Sequence, residues 1–72
     1  MAELKYKIEQ SIACISEEKN GWSKELNLVS WNENTAKYDI RSWSADHNKM
    51  GKGITLSKDK LLALKEVLNE LL

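Results

Sequence analysis

The sequence predicts an α+β domain, four β-strands followed by one C-terminal helix (β-β-β-β-α), and three observations lead there. Short runs alternate apolar and polar side chains with a period of two, as half-buried strands do. Polar turns rich in Asn, Gly and Ser separate those runs. The closing stretch "SKDKLLALKEVLNELL" then changes to a helical period.

The first run spans Leu4 to Ser16, with Leu4, Tyr6, Ile8, Ile12 and Cys14 on one parity and Lys5, Lys7, Glu9 and Ser11 on the other. Ala13 and Ile15 blur the alternation, as a bulge or twist does. "SEEKNG" ends in Asn-Gly, a dipeptide that tolerates positive φ. The second run covers roughly Trp22 to Trp31, with Leu26 and Leu28 opposed to Glu25, Asn27, Val29 and Trp31. After the polar "NENTA", the third run, Lys37 to Trp43, sets Tyr38 and Ile40 against Lys37, Asp39, Arg41 and Trp43. "SADHNKM" is a loop, and "GKGITLS" is a short strand with Ile54 and Leu56 facing a core. Such short connections pair consecutive strands antiparallel.

In the helix, Ser57 is the expected N-cap and Asp59 suits the positive end of the dipole. Leu61, Leu64, Val67, Leu68, Leu71 and Leu72 form a stripe about 140° wide at helical spacing. That is wider than one small sheet face requires. A helix packed on its own sheet and against a second subunit is the expectation, with Leu61, Leu64, Leu68 and Leu71 at the subunit interface.

The 72 residues make one domain, 1–72, and chains below about 80 residues often need a supplement to their core. The lone Cys14 allows no internal disulfide, and no Cys/His cluster has the spacing of a metal site. Oligomerisation is the supplement left. The start "MAELKYKIEQ" has no apolar signal core and no run reaches membrane-span length, so a cytoplasmic protein is expected. Eleven Lys and Arg balance eleven Asp and Glu, so any anion site must arise from local arrangement.

One helix covers one side of a sheet, with Leu26, Leu28, Tyr38 and Ile40 as the layer beneath it. The other side then carries Asn27, Val29, Trp31, Lys37, Asp39, Arg41 and Trp43, with Lys5 and Lys7 nearby. Indole rings beside cations suit single-stranded nucleic acid, whose unpaired bases stack for about 1–3 kcal/mol each. Packing of Trp31 and Trp43 into a second core is the competing explanation. Lys52, between Gly51 and Gly53, is a candidate phosphate contact, although a tight turn explains those glycines equally well. The spacing of a Walker loop is absent. His47 reads as a solvated loop residue, Cys14 as a buried thiol and Glu17-Glu18 as loop charge. Nothing has the spacing of a catalytic triad, a carboxylate pair or a cofactor site, so neither an enzyme nor a small-molecule substrate is expected.

"YDIRSWSAD", then "GKGITLS", then a leucine-rich helix resembles the transcriptional positive cofactor four family of single-stranded DNA-binding proteins. The stretch from Gly21 to Asn32 is similar to its bacterial, YdbC-like branch. The resemblance implies a strongly curved antiparallel sheet, a homodimer joined through the helices, and grooves that take single strands with little sequence preference. It places Arg41 at the family's strand arginine, Lys52 at the lysine of its K-G-I segment, and Trp31 and Trp43 at aromatic strand ends. Lys24 falls at a basic position of the second strand, although its parity here is that of the core side. The loop Ser44 to Gly51 is shorter than in eukaryotic members, and their basic, serine-rich tail is missing. The expected site is therefore Trp31, Lys37, Arg41, Trp43, Lys52, Lys24 and Asn27, engaging single-stranded DNA in transcription, replication or repair. Single-stranded RNA, or a protein docked on the tryptophan face, are the alternatives.

Overall fold

The computed structural model describes residues 5–72, so Leu4 lies outside the described residues. Strand β1 (Tyr6–Glu17), a single 3-10 turn (Lys19–Gly21), β2 (Ser23–Trp31), β3 (Lys37–Trp43), β4 (Met50–Leu56) and helix α1 (Lys58–Leu71) follow in order. The sheet runs β1-β2-β3-β4 with every neighbouring pair antiparallel. The expected β-β-β-β-α order holds. Asn20 (φ 63°) and Gly21 (φ 79°) take the left-handed backbone at the first turn, where an Asn-Gly pair costs least.

The sheet is folded over on itself. Tyr6 pairs with Trp31, and Trp43 with Ser23, eight residues apart on β2. On a flat sheet that is roughly 26 Å at the usual rise per residue. The Tyr6 and Trp43 ring centroids are 5.3 Å apart. Three register shifts in β1, between Ile8 and Gln10, Ser11 and Ala13, and Cys14 and Ser16, supply the bend. Each inserts an unpaired residue that kinks the strand and adds twist.

Curvature reverses the expected division of faces. The concave side, with Asn27, Val29, Asp39 and Trp43 all at most 1% exposed, is where the core sits. The side facing the helix, with Leu26, Leu28, Tyr38 and Ile40, is only half-buried. A flat sheet would need a second layer over its tryptophans, whereas a rolled sheet covers them with its own ends. The β1 register also corrects the expected parity. Tyr6 and Ile8 oppose Trp31 and Val29 and so share their concave face, while Lys7 lies on the other side with Ser30. Ile12 falls at a register shift and is exposed, as are Ile15 and Cys14.

Helix α1 starts after Ser57, whose backbone is extended as an N-cap requires but whose hydroxyl makes no capping hydrogen bond. No residue of α1 is buried. Leu64 (37%), Leu68 (41%) and Val67 (58%) keep much of their surface open, as does Ile54 on β4. The stripe is thus only partly spent on its own sheet, where Leu61, Leu64 and Leu68 approach Leu26.

Gly53 lets β4 lie close against β3. A Cβ there would sit 2.3 Å from the Cβ of Arg41 and 2.4 Å from the carbonyl oxygen of Ile40. At Gly51 it would meet only the Cβ of Ser42 at an ordinary 3.7 Å. Gly53→Ala should therefore lower the urea unfolding free energy by about 3 kcal/mol or more, while Gly51→Ala should change it by less than about 1 kcal/mol.

Candidate nucleic-acid interface

Asp39 and Arg41 stand two apart on β3, so strand alternation aims both into the concave side. Arg41 Nε donates to Asp39 Oδ1 at 2.6 Å and Nη2 donates to Oδ2 at 2.8 Å, a bidentate pair. Thr55 Oγ1 donates to the same carboxylate from β4 at 2.9 Å. Nη1 reaches the Gly51 carbonyl at 3.4 Å and Met50 Sδ at 3.5 Å. The guanidinium lies 4.6 Å above the Trp31 ring. Asp39 is fully buried and the Arg41 side chain is 15% exposed.

This arrangement engages Arg41 within the protein itself. Each of its three nitrogens already donates within the protein, and its charge is neutralised by a buried carboxylate. It clamps the rolled sheet. An ion pair this dry is stable only while both partners are present. Asp39→Ala, which strands the guanidinium, should cost about 3–5 kcal/mol in urea unfolding.

Trp31, Trp43, Tyr6 and His47 form one aromatic cluster. Tyr6 lies 5.8 Å from Trp31, and Trp43 lies 5.7 Å from the His47 ring, all tilted contacts. Trp43 is wholly buried, so the expected open indole exists at Trp31 alone, which keeps part of its surface. Both indole Nε1 atoms are buried without a hydrogen-bond partner among the described residues.

Asn27 is 1% exposed, and its amide nitrogen donates to Glu25 Oε1 at 3.1 Å. Lys24 points away from the concave side, as its parity implied, and approaches Glu18 at 3.8 Å. Lys37 and Lys52 are exposed, and neither has an ion-pair partner among the described residues. Lys37 opposes Val29 on the face of Trp31. Lys5 and Lys49 are exposed as well, and Lys7 is held loosely by Glu9 at 3.7 Å. Of the expected site, Trp31 keeps part of its surface, Lys24, Lys37 and Lys52 stand in solvent, and Asn27 faces only a hollow beside β1.

Sequence reasoning missed Tyr6, Glu25 and His47. The Tyr6 hydroxyl donates to the His47 carbonyl at 2.9 Å, tying β1 to the β3–β4 loop. His47, at φ 60°, places Nε2 2.9 Å and 3.0 Å from the two Glu25 oxygens. That partner lies 22 residues away in sequence, so adjacency to Asp46 gave no hint of it.

Burial alone would raise the Glu25 carboxyl pKa, but hydrogen bonds from Ser23, Asn27 and His47, with the imidazole charge, outweigh it and hold it below the usual 4.5. A depressed carboxylate stabilises the fold fully above its unfolded value, and that contribution fades as pH falls through the folded value. Glu25→Gln should therefore flatten the fall of melting temperature between about pH 5 and about pH 3, measured by circular dichroism.

Over residues 18–67 the chain matches the family described as Transcriptional Coactivator p15 (PC4). That span contains Glu25, Trp31, Asp39, Arg41, His47 and Gly53, and omits β1 with Tyr6. The chain is also similar to an uncharacterized protein of Treponema pallidum (strain Nichols). The two are 46% identical over 66 residues, covering 92% of this chain and 78% of that one.

Proposed function

This chain belongs to the transcriptional coactivator p15 (PC4) family, and from that membership and the site geometry we propose a homodimer that binds single-stranded DNA with little sequence preference. A transcription-related role follows from the family, with replication or repair as further settings for the same binding. A bacterial, YdbC-like branch and a cytoplasmic location fit the motif between Gly21 and Asn32 and the absence, among the described residues, of a helix able to cross a membrane.

The observation that carries the reading is the part-exposed Trp31 ring, held in place by the Arg41 stack, with Lys37, which has no ion-pair partner among the described residues, on its face. Trp31 can stack one unpaired base without reorganising, because the guanidinium behind it is itself fixed by Asp39. Lys37 and Lys52 supply cations for phosphates. Single-stranded RNA offers the same π-faces and phosphates, and stacking alone does not exclude it. A protein docked on the tryptophan face is disfavoured, because Trp43 presents no surface to it.

The homodimer reading rests on α1. Its uncovered Leu64, Leu68 and Leu71, with Leu61 half-buried beside them, leave an apolar band beyond what single surface side chains explain. A second copy of α1 would cover it and supply the core that so short a chain lacks.

Oligo-dT titration should quench tryptophan fluorescence, and sedimentation should give twice the chain mass with or without the oligonucleotide. In the salt dependence of that binding, Lys37→Ala and Lys52→Ala should each lower the slope by about 0.7, one phosphate contact on a single strand. An unchanged slope removes that lysine from the site, and no binding at all removes the reading.

A further inference from the structure

A hollow of about 350 Å³ opens between β1 and β2 beside the His47 loop. Asn27, Glu25 and His47 line one side of it, and Ser11, Ile12 and Ala13 line the other. Ser11 is the cross-strand partner of Asn27. The register shift after Ser11 moves β1 out of strict pairing and leaves the space.

The chemistry of the hollow is one-sided. Asn27 must turn its Nδ2 toward Glu25, because an ionised carboxylate only accepts. That orientation leaves Asn27 Oδ1 as the remaining polar atom of a side chain otherwise sealed, and it has no hydrogen-bond partner among the described residues. An amide oxygen at the wall of the hollow can accept from a donor placed there. The Glu25 carboxylate beside it is a second acceptor, 13% exposed. The apolar wall at Ile12 and Ala13 suits the flat face of a ring.

We propose that this hollow is a base-edge pocket that takes a nucleobase carrying an exocyclic amino group, in preference to thymine. Cytosine, adenine and guanine each present N–H₂ hydrogens to carboxylate and amide oxygens, as a carboxylate accepts from cytosine N4 in groove recognition. Thymine presents two carbonyl oxygens flanking a single N–H, and those oxygens would face Glu25 and Asn27 Oδ1. The phosphate chain stays outside with the exposed lysines, away from Glu25. Sequence-tolerant stacking at Trp31 and a mild base preference at the hollow act on different nucleotides of one strand. The inference rests on the single-strand reading above and adds to it a determinant of specificity.

The test compares two oligonucleotides, dT12 and the same strand with dC at its central positions, by fluorescence titration at one salt concentration. The wild-type protein should bind the dC-containing strand about fivefold or more tightly, the low end of discrimination by a polar base contact. In Asn27→Leu, and separately in Ser11→Ala plus Glu25→Gln, the ratio of the two affinities should fall toward one. A ratio taken on one preparation is insensitive to the fraction of folded protein, so weaker stability in a variant does not hide the result. The Asn27 side-chain amide signals should also shift in NMR spectra with the dC strand and not with dT12. Equal wild-type affinity for both strands would overturn the pocket while leaving single-strand binding intact, the hollow then holding only water. A preference that survives in both variants overturns it as well. Failure to bind either strand removes the pocket together with the single-strand reading, a distinct outcome.

Discussion

The structure depends on one buried contact, the Arg41 guanidinium held edge-on by Asp39 and face-on by Trp31. Arg41 pairs with Glu25 across β2–β3, six residues from Trp31 along β2. Only a sheet bent over on itself can bring that guanidinium and that indole together. The clamp therefore records the curvature and also holds it. Asp39 makes it tolerable to bury a cation, Thr55 donates to the same carboxylate from β4, and Gly53 leaves room for the Arg41 Cβ and the Ile40 carbonyl of β3. Strong polar contacts in a dry interior set geometry more than they add stability. Here the geometry they set is the roll of the sheet.

Two consequences follow for a chain with no net charge. The cation in the middle of the tryptophan face is paired internally, and the cations open to solvent are the lysines, Lys37 and Lys52 among them. The aromatic face is divided as well. Trp43 has become core, and Trp31 stands at its edge with a rigid backing. A stacking residue fixed before ligand arrives loses little freedom when it binds. The Glu25 carboxylate is tied to His47, Ser23 and Asn27.

The rolled sheet leaves its other side thinly covered. A single helix with no buried residue closes little of a face bearing Leu26, Leu28 and Ile40. With its concave core complete, the monomer still exposes the larger part of the α1 stripe. Curvature thus spends the aromatic residues of the sheet inward and leaves its aliphatic ones, with the α1 stripe, less covered.

Element order, the two-residue alternation of β2 and β3, the Asn-Gly turn and the helix stripe could all be read along the chain, because each depends on residues within a few positions of one another. The exposed lysines were legible for the same reason. What only the tertiary structure decided is which face of the sheet is inside. Alternation says that two sets of side chains point opposite ways, and it is silent on which set the curvature encloses. The three register shifts of β1 carry that decision, and the bend sets Tyr6 beside Trp31 and Trp43, Arg41 between Asp39 and Trp31, and His47 on Glu25. Those contacts join residues distant in sequence through a bend that no local pattern encodes.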